Sequence, residues 1–374
     1  MKNLLFIVLL LCCSFGFGQN DSLRKAEKDS IRAAKKAIKE SRWWSFAGYP
    51  VFFYTPETEF GFGAFVSYTF SASKGKNPNE KRSQFQVGGA YTTLNQILLW
   101  TPFKIFWGGD KNYFFGEFGY FKFSYSYWGI GNNTAESNEE VYDVAFPRIR
   151  PHYTRQIKES PVSIGGAWWF ENYKLSDIEE NGVLDQSFGS QGGNTSGVGP
   201  VMVLDTRDNV IYPQKGFYVE SKIYAFRNWL GSDYNFYKGY IDASHYWKPH
   251  KKGVWATNLN FRYSGGDVPF NMMSLIGGTK RMRGYYEGRY RDHNALILQG
   301  EYRLDLPWRF GMVAFADIAQ TYRKTAWLQI GDWRWTVGGG IRFALDYVRK
   351  INLRLDYGVG PDTQGFYITV GEAF

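Results

Sequence analysis

The residues that could carry chemistry are few and poorly spaced for it. His152, His245, His250 and His293 are the four histidines, and no two stand at a spacing that suits a metal ion. The two cysteines, Cys12 and Cys13, both lie in the N-terminal leader, so the mature chain is expected to hold neither a disulfide nor a thiolate site. No G-x-S-x-G nucleophile elbow occurs. "GGDKNYFFGEFG" is rich in glycine but lacks the closing Gly-Lys-Ser/Thr of a phosphate loop. The acid pairs Glu139–Glu140 and Glu179–Glu180 read as solvated loop residues. These observations point away from an enzyme and from any cofactor or bound metal. One stretch remains, "LIGGTKRMRGYYEGRYRD" from Leu275 to Asp292, with four arginines, four glycines and three tyrosines. Its chemistry is recognition. An arginine grips a carboxylate through a planar fork of donors, and an adjacent glycine lets the backbone come close to a wall.

The elements that would position such a stretch are set by the rest of the chain. Residues 1–18, "MKNLLFIVLLLCCSFGFG", have one lysine, an apolar run and then small residues, the make-up of a secretory signal. Residues 19–44 are basic and rich in Ala, Lys and Glu, with eight Lys or Arg against four Asp or Glu between 21 and 42. They are expected to form a periplasmic helix or a disordered segment, either solvated or docked on the remainder of the protein. The net charge of +9 would suggest nucleic acid in a cytosolic protein. Export removes that partner and leaves anionic lipid or an acidic protein.

Aromatic residues make up 19% of the chain, yet the mean hydropathy is only −0.39. After the leader no apolar stretch is long enough for a transmembrane helix. Both facts suit a β-barrel, in which alternate residues face lipid and aromatic girdles mark the interfaces. From Ser45 onward the hydrophobic pattern has period two, in sixteen runs: 46–56, 60–72, 82–93, 96–106, 111–127, 142–157, 160–174, 196–206, 216–226, 234–248, 253–265, 294–305, 309–318, 332–345, 349–359 and 366–374. In "INLRLDY", Ile351, Leu353, Leu355 and Tyr357 share one face, and Asn352, Arg354 and Asp356 the other. The expected fold is all-β, a sixteen-stranded antiparallel transmembrane barrel over 45–374. Its short turns would be periplasmic and its long loops extracellular. The Gly/Ser-rich loop 175–195 is expected to be mobile.

The arginine-rich stretch then falls in the longest loop, between strands eleven and twelve. Here the chain resembles the BamA/TamA (bacterial surface antigen) superfamily of outer-membrane assembly and secretion barrels. The resemblance rests on Arg283-Gly284-Tyr285 after Gly277 and Gly278, and on "LDTRDNVIYPQKGFYVE", which carries Asp205, Arg207, Asp208, Pro213 and Gly216. "FADIA" also contributes, with Asp317 at the acid and Ala319 in place of a glycine. The C-terminal run "GFYITVGEAF" carries Phe366, Ile368, Val370 and the terminal Phe374, like the strand read by the assembly machinery, and leaves Glu372 on its apolar face. The resemblance implies a long loop folded into the lumen, with Arg283 held by Asp317 or Glu301. Such a clasp either only stabilises the barrel or also sets its shape and gating.

Gly48, Pro50 and Pro56 weaken strand one, since proline removes a ladder donor. The seam with the last strand is then either an ordinary edge or a lateral gate. Family members usually carry periplasmic POTRA domains, and residues 19–44 are too few for one. The implied role is insertion or translocation of protein or lipid at the outer membrane of a Gram-negative bacterium. It would involve periplasmic or outer-membrane protein partners, nascent outer-membrane clients, the membrane lipid and no nucleic acid. A structural subunit of an envelope complex, or a passive channel, is the alternative.

Overall fold

The computed structural model describes residues 43–74, 80–323, 332–346 and 350–374. The leader at 1–18 and the basic segment, apart from its last residues, lie outside this set. The described residues build a closed barrel of sixteen antiparallel strands. The first eight are β1 Trp44–Thr55, β2 Glu59–Phe70, β3 Ser83–Thr92, β4 Ile97–Trp107, β5 Asn112–Tyr127, β6 (Glu140–Ile149 with His152–Gln156), β7 Val162–Ser176 and β8 Gly193–Asp205. The others are β9 Gly216–Phe226, β10 Phe236–His250, β11 Gly253–Gly266, β12 Asn294–Asp305, β13 Phe310–Tyr322, β14 Arg334–Asp346, β15 Ile351–Gly360 and β16 Thr363–Val370. Strand β6 is read from sequence as one run and is interrupted at Arg150–Pro151, where proline has no N–H for the ladder. Both halves still pair with β5.

The alternation separates lipid from lumen. On β15, Asn352, Arg354 and Asp356 are buried while Tyr357 is exposed. On β13, Met312 and Ile318 are exposed and Val313, Phe315, Asp317 and Ala319 are buried. An exposed apolar face around a buried charged one is the reverse of a water-soluble sandwich, and it fits a barrel wall in a bilayer. The long connections 128–139, 177–192 and 267–293 leave one end, and short turns such as 108–111 and 251–252 leave the other.

A hydrophobic cap covers part of the long-loop end. Tyr127, Tyr142, Leu184, Phe226, Phe236, Phe270 and Met272 belong to one buried cluster, with Phe226 and Phe236 stacked at 4.2 Å. Leu184 corrects one expectation, because the loop read as mobile is pinned. Its side chain is fully buried, and the Val183 and Leu184 amides donate to the buried Glu140 carboxylate. Glu140 is therefore not a solvated loop acid, whereas Glu179 and Glu180 are exposed.

Candidate functional site: the clasped loop and the seam

The connection between β11 and β12 turns back into the lumen. Residues Ser274–Ile276 and Tyr290–Asp292 pair as a small ribbon, and the segment between them reaches the barrel wall. Gly277, Gly278, Gly284 and Gly288 all have positive φ, which a side chain would resist. Gly284 is the one that meets the barrel wall. At φ 112° a Cβ would lie 3.0 Å from Thr336 Cγ2 and 3.3 Å from the Gly358 carbonyl carbon. Gly358 faces it, and a Cβ there would lie 2.8 Å from the Arg283 oxygen. The loop thus lies backbone to backbone against β15. Polar contacts with β16 hold it: Gly284 N donates to Tyr367 Oη at 2.8 Å, and Thr363 Oγ1 donates to the Gly284 oxygen at 2.6 Å.

Arg283 is fully buried. Its guanidinium pairs with Glu301 Oε2 at 2.8 Å and donates to Asp356 Oδ2 at 2.8 Å, with its plane 3.6 Å from the Phe315 ring centroid. Around it Glu301 also accepts from Arg303 Nε at 2.6 Å, Asp356 accepts from Arg342, and Arg354 lies 3.3 Å from Asp356. Buried charges of both signs alternate here, as burial requires. Asp317 is also fully buried, opposite Gln299 in the ladder, but it forms no ion pair among the described residues. The carboxylates ion-paired with the Arg283 guanidinium are Glu301 and Asp356, while Asp317 interacts with Arg283 without such a pair. Tyr285 packs with Ile276, Met282, Tyr290, Ala295, Ile297 and Ala319. Gly338 and Gly340 of β14 thin the wall where Phe315 and Asp356 lean over it.

The C-terminal run departs from its reading. Phe366 and Val370 are exposed on the outer face and Ile368 is half-buried, but β16 stops at Val370. Gly371 turns at φ 93°, and the tail enters the lumen. Glu372 is therefore not on the lipid face. It accepts from Arg342 Nε at 2.9 Å and from Asn352 Nδ2 at 2.8 Å. The Phe374 oxygen accepts from Arg303 at 2.9 Å.

This early end leaves the seam short. β1 pairs β2 along its whole length, from Trp44 with Phe70 to Thr55 with Glu59. Toward β16 it keeps a single registered pair, Tyr54 with Ile368. The edge of β1 from Ser45 to Val51 has no strand beside it among the described residues. Gly48 and Pro50 lie in that edge and are exposed, and Pro56 follows the end of β1.

The β8–β9 hairpin has its own lock. Arg207 makes a two-point contact with Asp205 at 2.9 and 2.8 Å, and Asp208 Oδ1 accepts from the Gln214 and Lys215 amides. Gly216 turns at φ 102° against Thr206, and Pro213 is buried. Tyr212 reaches past two strands to donate to Asp305 Oδ1 at 3.0 Å, so the hairpin crosses the short-turn mouth.

The sequence reading missed Asp356, Phe315, Tyr367, Arg342 and the tail. Asp356 and Arg342 were legible as inward charges, since both sit in clean alternation. Nothing marked them as partners of Arg283, because strand alternation gives a face and not a height.

The fold and the clasped loop together define an outer-membrane-type barrel with an occupied lumen. The Omp85 superfamily domain matches residues 60–374, and the chain belongs to that superfamily. The barrel is similar to BamA from Haemophilus ducreyi lacking POTRA domains 1-3, with TM-score 0.61 and 14% identity over 88% of this chain and 70% of that one. It is also similar to CdiB from Acinetobacter baumannii, with TM-score 0.54 and 14% identity over 88% of this chain and 60% of that one. For CdiB from Escherichia coli the TM-score is 0.60 and the identity 11%, over 87% of this chain and 62% of that one. The chain thus spans less than two thirds of either CdiB structure. No curated protein sequence matches.

Proposed function

We propose that this barrel handles β-strand-forming protein at its seam, assisting insertion or translocation at the outer membrane together with protein partners. The observation that carries the reading is the single registered pair between β1 and β16 beside an open β1 edge. An open edge offers unpaired N–H and C=O groups to an incoming strand, which can add to the sheet by β-augmentation. Pro50 removes one donor and Gly48 loosens the strand, so the edge lends itself to pairing that can be exchanged. Supporting the reading is the division of labour in the lumen. The Arg283 clasp ties the loop to β12 and β15, and not to the open edge of β1. The partly capped end and the clasped loop argue against a passive channel, and no reaction is assigned to the chain.

Depletion of the protein followed by quantitation of the outer-membrane proteome tests this. Loss of a defined set of other barrels or surface proteins is the expected result. An unchanged proteome would leave a structural envelope subunit as the better account.

A further inference from the structure

A cavity of about 420 Å³ opens at the long-loop end of the barrel, next to the clasped loop. Its walls come from four places: the β5–β6 loop, the lumenal loop, the start of β14 and the turn into β16. Four rings line it. Trp128 and Tyr286 meet edge to face at 5.3 Å, and Tyr285 and Tyr290 at 5.7 Å. Two guanidiniums flank one of these rings, with Arg289 4.5 Å and Arg334 4.4 Å from the Tyr290 centroid.

The partners of these arginines are all neutral. Arg289 donates to Thr134 Oγ1 at 2.8 Å and to the Thr134 carbonyl at 3.0 Å. Arg334 donates to the Asn132 carbonyl at 2.6 Å and to Asn133 Oδ1 at 2.9 Å. Neither makes an ion pair among the described residues. Trp128 Nε1 and Arg334 Nε are buried donors without an acceptor. At the rim, Glu136 and Asp362 are exposed carboxylates.

Each feature narrows the ligand. Fixed guanidiniums whose hydrogen-bond partners are all neutral favour an anionic group. Tyr286, the least buried of the four rings, offers apolar surface to the C–H face of a sugar, and rim carboxylates accept hydroxyl hydrogens. An acyl chain or apolar peptide would strand the charged groups. The volume falls in the range of small-molecule sites, about 300–1,000 Å³.

We propose that this cavity is an extracellular binding site for an acidic saccharide, one that carries a phosphate or a carboxylate. The site lies directly above the clasp. Tyr285 is two residues from Arg283, and Thr363 lines the cavity while donating to Gly284. An occupied site therefore holds the loop and the start of β16 together.

The test uses the purified full chain in detergent micelles, with glucose 1-phosphate and glucuronate as probes and glucose and inorganic phosphate as controls. Calorimetry should show saturable binding of at least one acidic sugar, with each control at least tenfold weaker. Arg334→Gln should weaken binding at least tenfold, and Asp362→Ala severalfold, while both variants keep native heat-modifiable migration. Lipopolysaccharide added to the micelles separates two sources of the sugar. Competition with the probe assigns the site to a lipid headgroup, and retained probe binding assigns it to a soluble glycan. Absence of saturable binding by either acidic sugar would overturn the proposal. So would unchanged binding in both natively migrating variants. Neither failure bears on the seam.

Discussion

Replacing Arg283 with alanine removes the central cation of the lumenal clasp, and the structure sets the size of the effect. Stranding one member of a buried ion pair costs about 3–5 kcal/mol when nothing else compensates the remaining charge. Here Glu301 keeps Arg303, and Asp356 keeps Arg342 and Arg354, so neither acid is stranded. The loss is then about 2–3 kcal/mol, most of it from two charge-assisted contacts and the stacking on Phe315. It falls on loop docking and not on the sheet, since Arg283 belongs to no strand. At about 1.4 kcal/mol per factor of ten, the released loop should be populated roughly 30- to 150-fold more often. Trypsin reads this population, because Arg281 and Arg289 flank the clasp and are only partly exposed while the loop is docked. Cleavage of Arg283→Ala should be faster by that factor. Arg283→Lys, which keeps the charge without the planar fork, should fall between the two. A cleavage rate within about threefold of the unmutated protein would refute the clasp as the element that holds the loop.

Other outcomes rest on the same geometry. Gly284→Ala should release the loop by about 1–3 kcal/mol, since it combines positive φ with a Cβ pressed on Thr336; an unchanged tryptic pattern would contradict the close approach. Asp356→Asn should loosen the loop more than Asp317→Asn, because of the two only Asp356 forms an ion pair with the Arg283 guanidinium among the described residues; the reverse order in the same assay would restore Asp317 as the partner. Glu57, in the β1–β2 turn, accepts from the Glu287 amide at 2.7 Å, and burial together with the Glu287 charge raises its pKa above the usual 4.5. A raised carboxyl favours the docked state when neutral, so that contribution is present at acid pH and is lost as pH rises through the raised value. Glu57→Gln should therefore melt higher than the unmutated protein at neutral pH and equal to it at acid pH. A melting difference that does not vary with pH would count against this.

Much of the barrel was legible because period two over sixteen runs has one physical meaning once a water-soluble core is ruled out. The strand ends in the structure agree with that pattern to within a few residues, as at 216–226 and 294–305. The last strand does not, and the reason is local. Phe366, Ile368 and Val370 alternate, and so does Glu372 by count, but Gly371 at positive φ ends the alternation and sends the carboxylate inward. Contacts between loops left no periodic signal at all. The buried Leu184 sits in a segment whose glycines and serines suggest motion, and Glu140 holds it through backbone amides that sequence cannot show. The clasp was half legible. Arg283 and Glu301 stand out by type and face, whereas Asp356 is brought to them by shear between strands, a quantity alternation does not encode.

The central claim is that the β1–β16 seam opens for a client strand, and locking it is the direct test. Tyr54 and Ile368 are directly opposite in the ladder, at a separation that suits a disulfide between Tyr54→Cys and Ile368→Cys. In cells depleted of the unmutated protein, the reduced double variant should restore the outer-membrane proteome and the oxidised one should not. Full restoration by the oxidised, locked seam would contradict the account.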